Sequence, residues 1–552
     1  MRFGLFILYS IILNIAFSQT KPRNVIMYIG DGFGVAPKTA ARMAMGQGRE
    51  NKRYYNDSGF HVLALDKLSY TGMATTHSLN SWTTDSAPGA TVYATGRKID
   101  NEMISFDLDS ASPIETILEA AKKQGYAVGL VTTTRITHAT PAAFGSHIWH
   151  RDLEDYIAAQ LISSSQQQYE EIFNSSPIDS LKYNKERDWL LPQPKIGVEI
   201  DVLFGGGGAH FFPEKYADTI KNEPKKSIII GKRKDKVNLV TIAQKRGYTY
   251  INNREDLLAI NVDAFANNKN LKVLGLFKSS HLSYEQDRQL NNTSEPSLAD
   301  MTQKAIEILR TKGGKKGFFL MVEGGRIDHL GHANAGVVTK QCRFEVDSIA
   351  FPPDGGKERL KNTTQGNIYG SDYMIKEVLG FDYAIEEGRK LLKDKNTETL
   401  IFSSSDHECG AVAVIGLYDS THAHMRTYSE EPINKSAKIA TPMNLMRGDG
   451  NTKGFFPQYK LYEFQSKKYP MPQSANARRI VITYASNPLT LGHDCEGTYS
   501  YGSHTPQDVW VGADDNVGGK YASKIAGKGM IDNTFLTPIM AEFLGLKGFG
   551  LK

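Results

Sequence analysis

Several stretches of the chain are continuously apolar and end abruptly in polar residues. Residues 24–30 (NVIMYIG) run into Asp31 and Gly32, and residues 127–133 (AVGLVTT) into a loop carrying His138. Residues 317–322 (GFFLMV) run into Glu323, Gly324 and Gly325, and residues 399–402 (TLIF) into three serines followed by Asp406 and His407. Apolar runs of this length without alternation predict strands covered on both faces. Helical patterns lie between them, for example over residues 114–123 and 298–312. Strands alternating with helices predict a three-layer α/β/α sandwich with a central, mostly parallel sheet. In such sheets chemistry collects at the carboxyl ends of the strands. Three of these strands deliver acids at their ends, and the fourth leads into the loop carrying His138.

Two segments read as excursions from this core. Residues 333–370 separate a strand-end motif from a helix beginning near Tyr373, and contain Pro352–Pro353 and Gly355–Gly356. Residues 417–495 are rich in Pro, Gly, Asn and Tyr without a clear period. Gly205 to Gly208 form a four-glycine run after a strand, read as a tight turn. At the start of the chain, Arg2 precedes an almost wholly apolar run from Phe3 to Phe17, with the small residues Ala16 and Ser18 before Gln19. This pattern predicts a cleaved signal peptide over residues 1–18. The run is short for a membrane span, and the end of the chain lacks the long apolar tail of a GPI signal. Residues 19–552 are therefore read as one soluble domain, periplasmic or secreted, with no stable membrane anchor.

Composition narrows the function. The formal charge is +5 over 552 residues, but basic groups such as Lys225 and Lys226 are broken up by acids. No stripe of Lys/Arg interleaved with aromatics points to nucleic acid, and the charges read as a solvated surface. Cys342, Cys409 and Cys495 are the only cysteines. They leave room for one bridge and one thiol, and their spacing does not resemble a Cys-based zinc site. Metal chemistry is therefore expected from His and carboxylate ligands.

Such ligands are present. Asp328 and His332 are four residues apart and share one helix face. Asp31, Glu323 and the Asp406–His407 pair follow apolar strands, and His504 lies in a Gly-Ser-His-Thr stretch before another apolar run. Carboxylates crowded at adjacent strand ends repel one another unless cations neutralise them. Mixed His/carboxylate sets suit zinc, and carboxylate with hydroxyl and water suits magnesium. Ser86, in TDSAPGA, opens a small-residue helical stretch. A Ser there commonly caps the helix, and a helix N-terminus also attracts anions. No G-x-S-x-G elbow surrounds it, so activation is expected from metal coordination.

These motifs stand in the order found in alkaline phosphatases: Ile29–Gly30–Asp31–Gly32, Thr84–Asp85–Ser86–Ala87, Thr137–His138–Ala139–Thr140–Pro141–Ala142 and His150–Arg151. They continue with Val322–Glu323–Gly324, Ile327–Asp328, Gly331–His332, Ser405–Asp406–His407–Glu408 and Ser503–His504–Thr505. The chain resembles that family over nearly its whole mature length. The resemblance implies hydrolysis of phosphate monoesters through a phosphoserine at Ser86, with Arg151 gripping two phosphate oxygens. It implies two zinc ions, one held by Asp328, His332 and His504 and the other by Asp31, Asp406 and His407. It also implies one magnesium ion held by Thr140 and Glu323 with Asp31 bridging. His138 and His329 stand where some bacterial members have Asp and Lys, which places both behind the third metal and bears on its identity. The partners implied are small phosphate monoesters and a second copy of the chain in a homodimer. A relative acting on phosphodiesters or phosphonates is the second reading, and a non-enzymatic metal-stabilised binding protein the third. Ser86–Ala87–Pro88 echoes a sulfatase pattern, but Ala90 stands where that pattern needs Arg.

Overall fold

A computed structural model describes residues 21–47, 63–174, 197–219, 228–291, 293–334, 337–338, 344–345, 371–419, 461–464, 467–470, 478–484 and 503–550. Residues 1–18, read above as a signal peptide, Cys342, Cys495 and most of both excursions lie outside the described residues.

The core is a ten-stranded sheet. Its strands are β1 (Arg23–Gly30), β2 (Tyr70–Thr75), β3 (Ala127–Arg135), β4 (Val202–Gly206) and β5 (Tyr248–Ile251), followed by β6 (Lys272–Leu276), β7 (Gly317–Gly324), β8 (Glu398–Ser404), β9 (Val509–Asp515) and β10 (Met530–Asp532). Their spatial order is β10-β2-β9-β8-β1-β7-β3-β4-β6-β5. From β8 to β5 every neighbour is parallel; β9 runs antiparallel to both β8 and β2. The four strands read from apolar runs are all present and central, each one to three residues longer than its run.

Alternation along β1 explains the layers. Val25, Met27 and Ile29 face one core, Ile26 and Tyr28 the other. Eight helices matter here: α1 (Val35–Gln47), α2 (Ser86–Thr95), α3 (Ile117–Lys123), α4 (Ala139–Gly145), α5 (Leu298–Gly313), α6 (Arg326–Asn334), α7 (Ser371–Arg389) and α8 (Leu536–Leu544). Residues of α2, α3, α4 and α8 fill the first core, and residues of α1, α5, α6 and α7 the second. This is the expected three-layer sandwich. Helix α3 starts later than its apolar pattern because Thr116 and Glu119 form a capping box there.

Candidate active site

The site forms where β1, β7 and β8 end side by side. Residues Ile29 and Ser404 are in register, as are Ile29 and Glu323, so the turns after these strands emerge together. Ser405 ties two of them: its hydroxyl donates to the Gly30 carbonyl and accepts from Phe33 N at 2.8 Å. Gly32 N donates to Asp406 Oδ1 at 3.2 Å. Gly32 also has φ +65°, and a Cβ there would lie 2.6 Å from the Cα of Asp328. Glycine is what allows the β1 turn to approach α6 so closely.

Three groups of donor atoms result. Asp31, Asp406 and His407 form one, all fully buried. Asp328, His332 and His504 form a second, joined by Cys409, and Asp31, Glu323 and His138 form a third. In the Asp328 group, His332 Nε2 is 3.2 Å from His504 Nε2, and each lies 3.4 Å from an Asp328 oxygen. A tetrahedral zinc with bonds of about 2.0–2.1 Å holds its ligand atoms about 3.3 Å apart. His504 Nδ1 donates to the Thr84 carbonyl at 3.0 Å, which leaves Nε2 free for that space. His407 Nε2 lies 3.5 Å from Asp31 and 3.4 Å from Asp406.

The electrostatics call for cations. Burial, then the neighbouring Asp406 and Asp328, pushes Asp31 well above the usual carboxylate range. Burial pushes Asp406 up to about 6, and Glu323 up to about 7 although Thr132 and Thr134 hydrogen-bond it. Burial would raise Asp328 too, but His332 and His504 outweigh it and hold that carboxyl well below its ordinary value. Buried polar atoms also lack partners here: His138 Nδ1, Thr140 Oγ1, Glu323 Oε1, Asp328 Oδ1, Asp406 Oδ2 and His407 Nδ1. Unpaired buried polar groups are rare in folded proteins. Their concentration in one place fits a set of metal sites.

Ser86 is the first residue of α2 and is 2 % exposed. Its Oγ is 3.1 Å from His407 Nε2 and 3.4 Å from Asp31 Oδ1. The cap is not Ser86, as its place at the helix start suggested, but Asp85, whose Oδ1 accepts from Ala87 N at 2.7 Å. That arrangement leaves the Ser86 hydroxyl free of capping. Asp85 Oδ1 also accepts from Arg151 Nη1 at 2.8 Å, and Arg151 Nη2 lies 3.1 Å from His138 Nε2.

The candidate catalytic and metal-ligating residues singled out in the sequence are thus brought together. Thr140 is fully buried and close enough to Glu323 to favour its ionised form. His138, read as lying behind the third metal, has a ring nitrogen within 4.8 Å of the Asp31 and Glu323 donors. His329 packs behind it, with ring centres 5.9 Å apart, and a further histidine, His281, meets both rings edge-on. The sequence reading missed Cys409, Asp85 and His281. Only Asp85 left a signal, as an N-cap residue type directly before the helix.

Residues 22–348, more than half of the chain, match the family described as alkaline phosphatase. The chain belongs to the alkaline phosphatase family. It is 32% identical over 397 residues to the repressible alkaline phosphatase of Saccharomyces cerevisiae, covering 71% of this chain and 56% of that one. It is 33% identical over 329 residues to the tissue-nonspecific alkaline phosphatase of Gallus gallus, covering 57% of each. The chain thus spans little more than half the length of these two relatives. Alkaline phosphatase 3 of Bacillus subtilis is 28% identical over 522 residues, covering 94% of this chain and 89% of that one. Among solved structures, the alkaline phosphatase of the Antarctic bacterium TAB5 superposes with a TM-score of 0.55 at 20% identity, covering 96% of this chain and 99% of that one. That of Thermus thermophilus gives 0.57 at 22%, covering 96% and 92%. Both share the fold. A variant of the TAB5 protein was solved with Mg bound in its M3 site. Among the described residues of the present alkaline phosphatase-family chain, no helix is long and apolar enough to cross a membrane.

Proposed function

We propose that the chain hydrolyses phosphate monoesters to an alcohol and inorganic phosphate, with Ser86 as nucleophile. The observation that carries this is the position of Ser86 Oγ. It lies on the Asp31/His407 group at the N-terminus of a buried helix, with Arg151 held nearby through Asp85. A Ser–His–Asp relay would need a carboxylate on the far nitrogen of the histidine. His407 Nδ1 is buried without a partner, which favours a metal role for this histidine.

Divalent cations, zinc at the Asp328/His332/His504 and Asp31/Asp406/His407 groups and magnesium at Asp31/Glu323/Thr140, would supply Lewis acidity and charge neutralisation. The chain supplies the rest. The planar fork of Arg151 suits two phosphate oxygens at once. Ser86 Oγ gives up its proton and bonds to phosphorus as the ester oxygen leaves, taking a proton to become the alcohol. Water then attacks the phosphoserine from the opposite side. Phosphate departs and Ser86 recovers its hydrogen, so phosphorus is inverted twice. His138 and His329 tune the third group. Residues 1–18 act as a secretion signal, and residues 19–552 form one catalytic domain with excursions at about 333–370 and 417–495. The mature protein is periplasmic or secreted and works as a homodimer.

Hydrolysis of p-nitrophenyl phosphate at alkaline pH tests this reading. Turnover should be abolished by EDTA, restored by zinc with magnesium, and lost in Ser86→Ala. A fully metal-loaded protein without turnover would sink it.

A further inference from the structure

The sequence led to a first metal group of one carboxylate and two histidines. The structure adds a sulfur. Cys409 sits in a two-residue strand, Glu408–Cys409, paired antiparallel with His504–Thr505, and Cys409 lies directly opposite His504. Directly opposed residues in such a pair project to the same side. Helix α6 brings Asp328 and His332 to that side. Its approach depends on Gly331, where a Cβ would lie 2.6 Å from the Cys409 carbonyl oxygen. Ligand atoms of Asp328, His332, His504 and Cys409 all fall within 4.8 Å of one another. Cys409 is fully buried. Asp328, 4 % exposed, directs Oδ1 into the same space, 3.4 Å from His504 Nε2.

We propose that the first metal group of this chain is a four-donor set, Asp328, His332, His504 and Cys409, in which the Cys409 sulfur is a direct ligand. The inference rests on the reading of the site as a metal centre. On binding, the thiol proton is released to solvent and the metal–sulfur bond replaces the sulfur–hydrogen bond. A sulfur donor beside two imidazoles biases the site toward thiophilic cations such as zinc, cobalt and cadmium, and against magnesium and manganese. Four protein ligands still leave a place for a phosphate oxygen, because zinc can expand to five-coordinate.

Cobalt(II) added to the metal-stripped full chain tests this. The wild type should show an intense near-ultraviolet sulfur-to-cobalt band. Cys409→Ser should lose that band, keep the visible cobalt bands, and bind zinc at this site more than about ten-fold more weakly. The variant Cys342→Ser/Cys495→Ser should keep the band. X-ray absorption of the zinc-loaded wild type needs no Cys409 variant and should resolve a sulfur neighbour at about 2.3 Å. Full metal loading with only nitrogen and oxygen neighbours overturns the sulfur ligand and leaves the phosphatase reading standing. Failure of the wild type to bind either metal overturns both.

Discussion

The Asp31/Asp406/His407 group and the Asp328/His332/His504 group are neighbours, with the His407 and His504 rings stacked 3.6 Å apart, yet they are built differently. The former hangs on two core strands in register, and its side chains are wholly buried. The latter is assembled from a helix and a two-residue strand pair, and its His332 and His504 side chains remain 21% and 16% exposed. The charge balance differs too. Two acids share one neutral histidine in the buried group, and burial followed by mutual repulsion raises Asp31. In the other, two histidines surround one acid and overcome its burial. The buried group is electrostatically incomplete, with two mutually repelling acids, whereas in the peripheral group the neighbouring histidines favour the ionised carboxylate.

The largest expected effect comes from the residue shared between groups. Asp31 belongs to both the Asp406/His407 group and the Glu323/His138 group. Asp31→Asn should lower kcat for p-nitrophenyl phosphate by roughly 10³-fold or more, since it weakens the electrostatic stabilisation of the transition state. It should also deplete two metal equivalents by elemental analysis. Asp328→Asn should deplete one. Equal depletion by both would break the comparison.

The second effect appears in the metal-free protein. Asp406 and Glu323 have raised pKa values, about 6 and about 7 in place of 3.8 and 4.5. The stability that such groups contribute is fully present below the ordinary carboxylate range and is lost as pH rises through about 6 and about 7. Asp328 is held low, so its contribution has the opposite sign and is lost as pH falls. Metal-stripped protein should therefore melt lower at about pH 8 than at about pH 5, by on the order of 3 kcal/mol, and added zinc should remove the difference. Asp406→Asn should raise the melting temperature of the stripped protein at about pH 8. Asp328→Asn should lower it. A shift of the same sign in both variants would remove the electrostatic half of the contrast.

The two groups were also unequally legible in the sequence. Asp31, Asp406 and His407 follow apolar strands within a few residues, so the strand-end rule pointed to a common edge of the sheet before any coordinates, and the resemblance supplied their grouping around one metal. Asp328 and His332 were legible as a pair from their spacing. Their association with His504 came from family resemblance, because the strand pair that places His504 forms across a long intervening stretch. The same pairing places Cys409, and nothing local in the sequence announces a cross-strand neighbour. Asp85 was obscured for a different reason. A helix start can be capped by Ser or by Asp, and only the backbone conformation, extended at Asp85 and helical from Ser86, decides between them.

Asp85 also gives the smallest effect and the finest test, because it joins the stability of α2 to the position of Arg151. Its Oδ1 accepts from both Ala87 N and the guanidinium. Asp85→Ala should lose the cap and cost about 1 kcal/mol in thermal or denaturant unfolding. Asp85→Asn keeps a capping oxygen, so stability should change by less than about 0.5 kcal/mol, yet the charge that orients Arg151 is gone. Competitive inhibition by inorganic phosphate should weaken in both variants, and Arg151→Lys should weaken it by roughly ten-fold, because an ammonium cannot grip two oxygens in one plane. Neither of the two groups compared above is touched by these changes, so their metal content should stay at the wild-type value. If Asp85→Asn binds phosphate as tightly as the wild type, Arg151 is held by its own backbone turn and by His138, and the Asp85 carboxylate serves the helix alone.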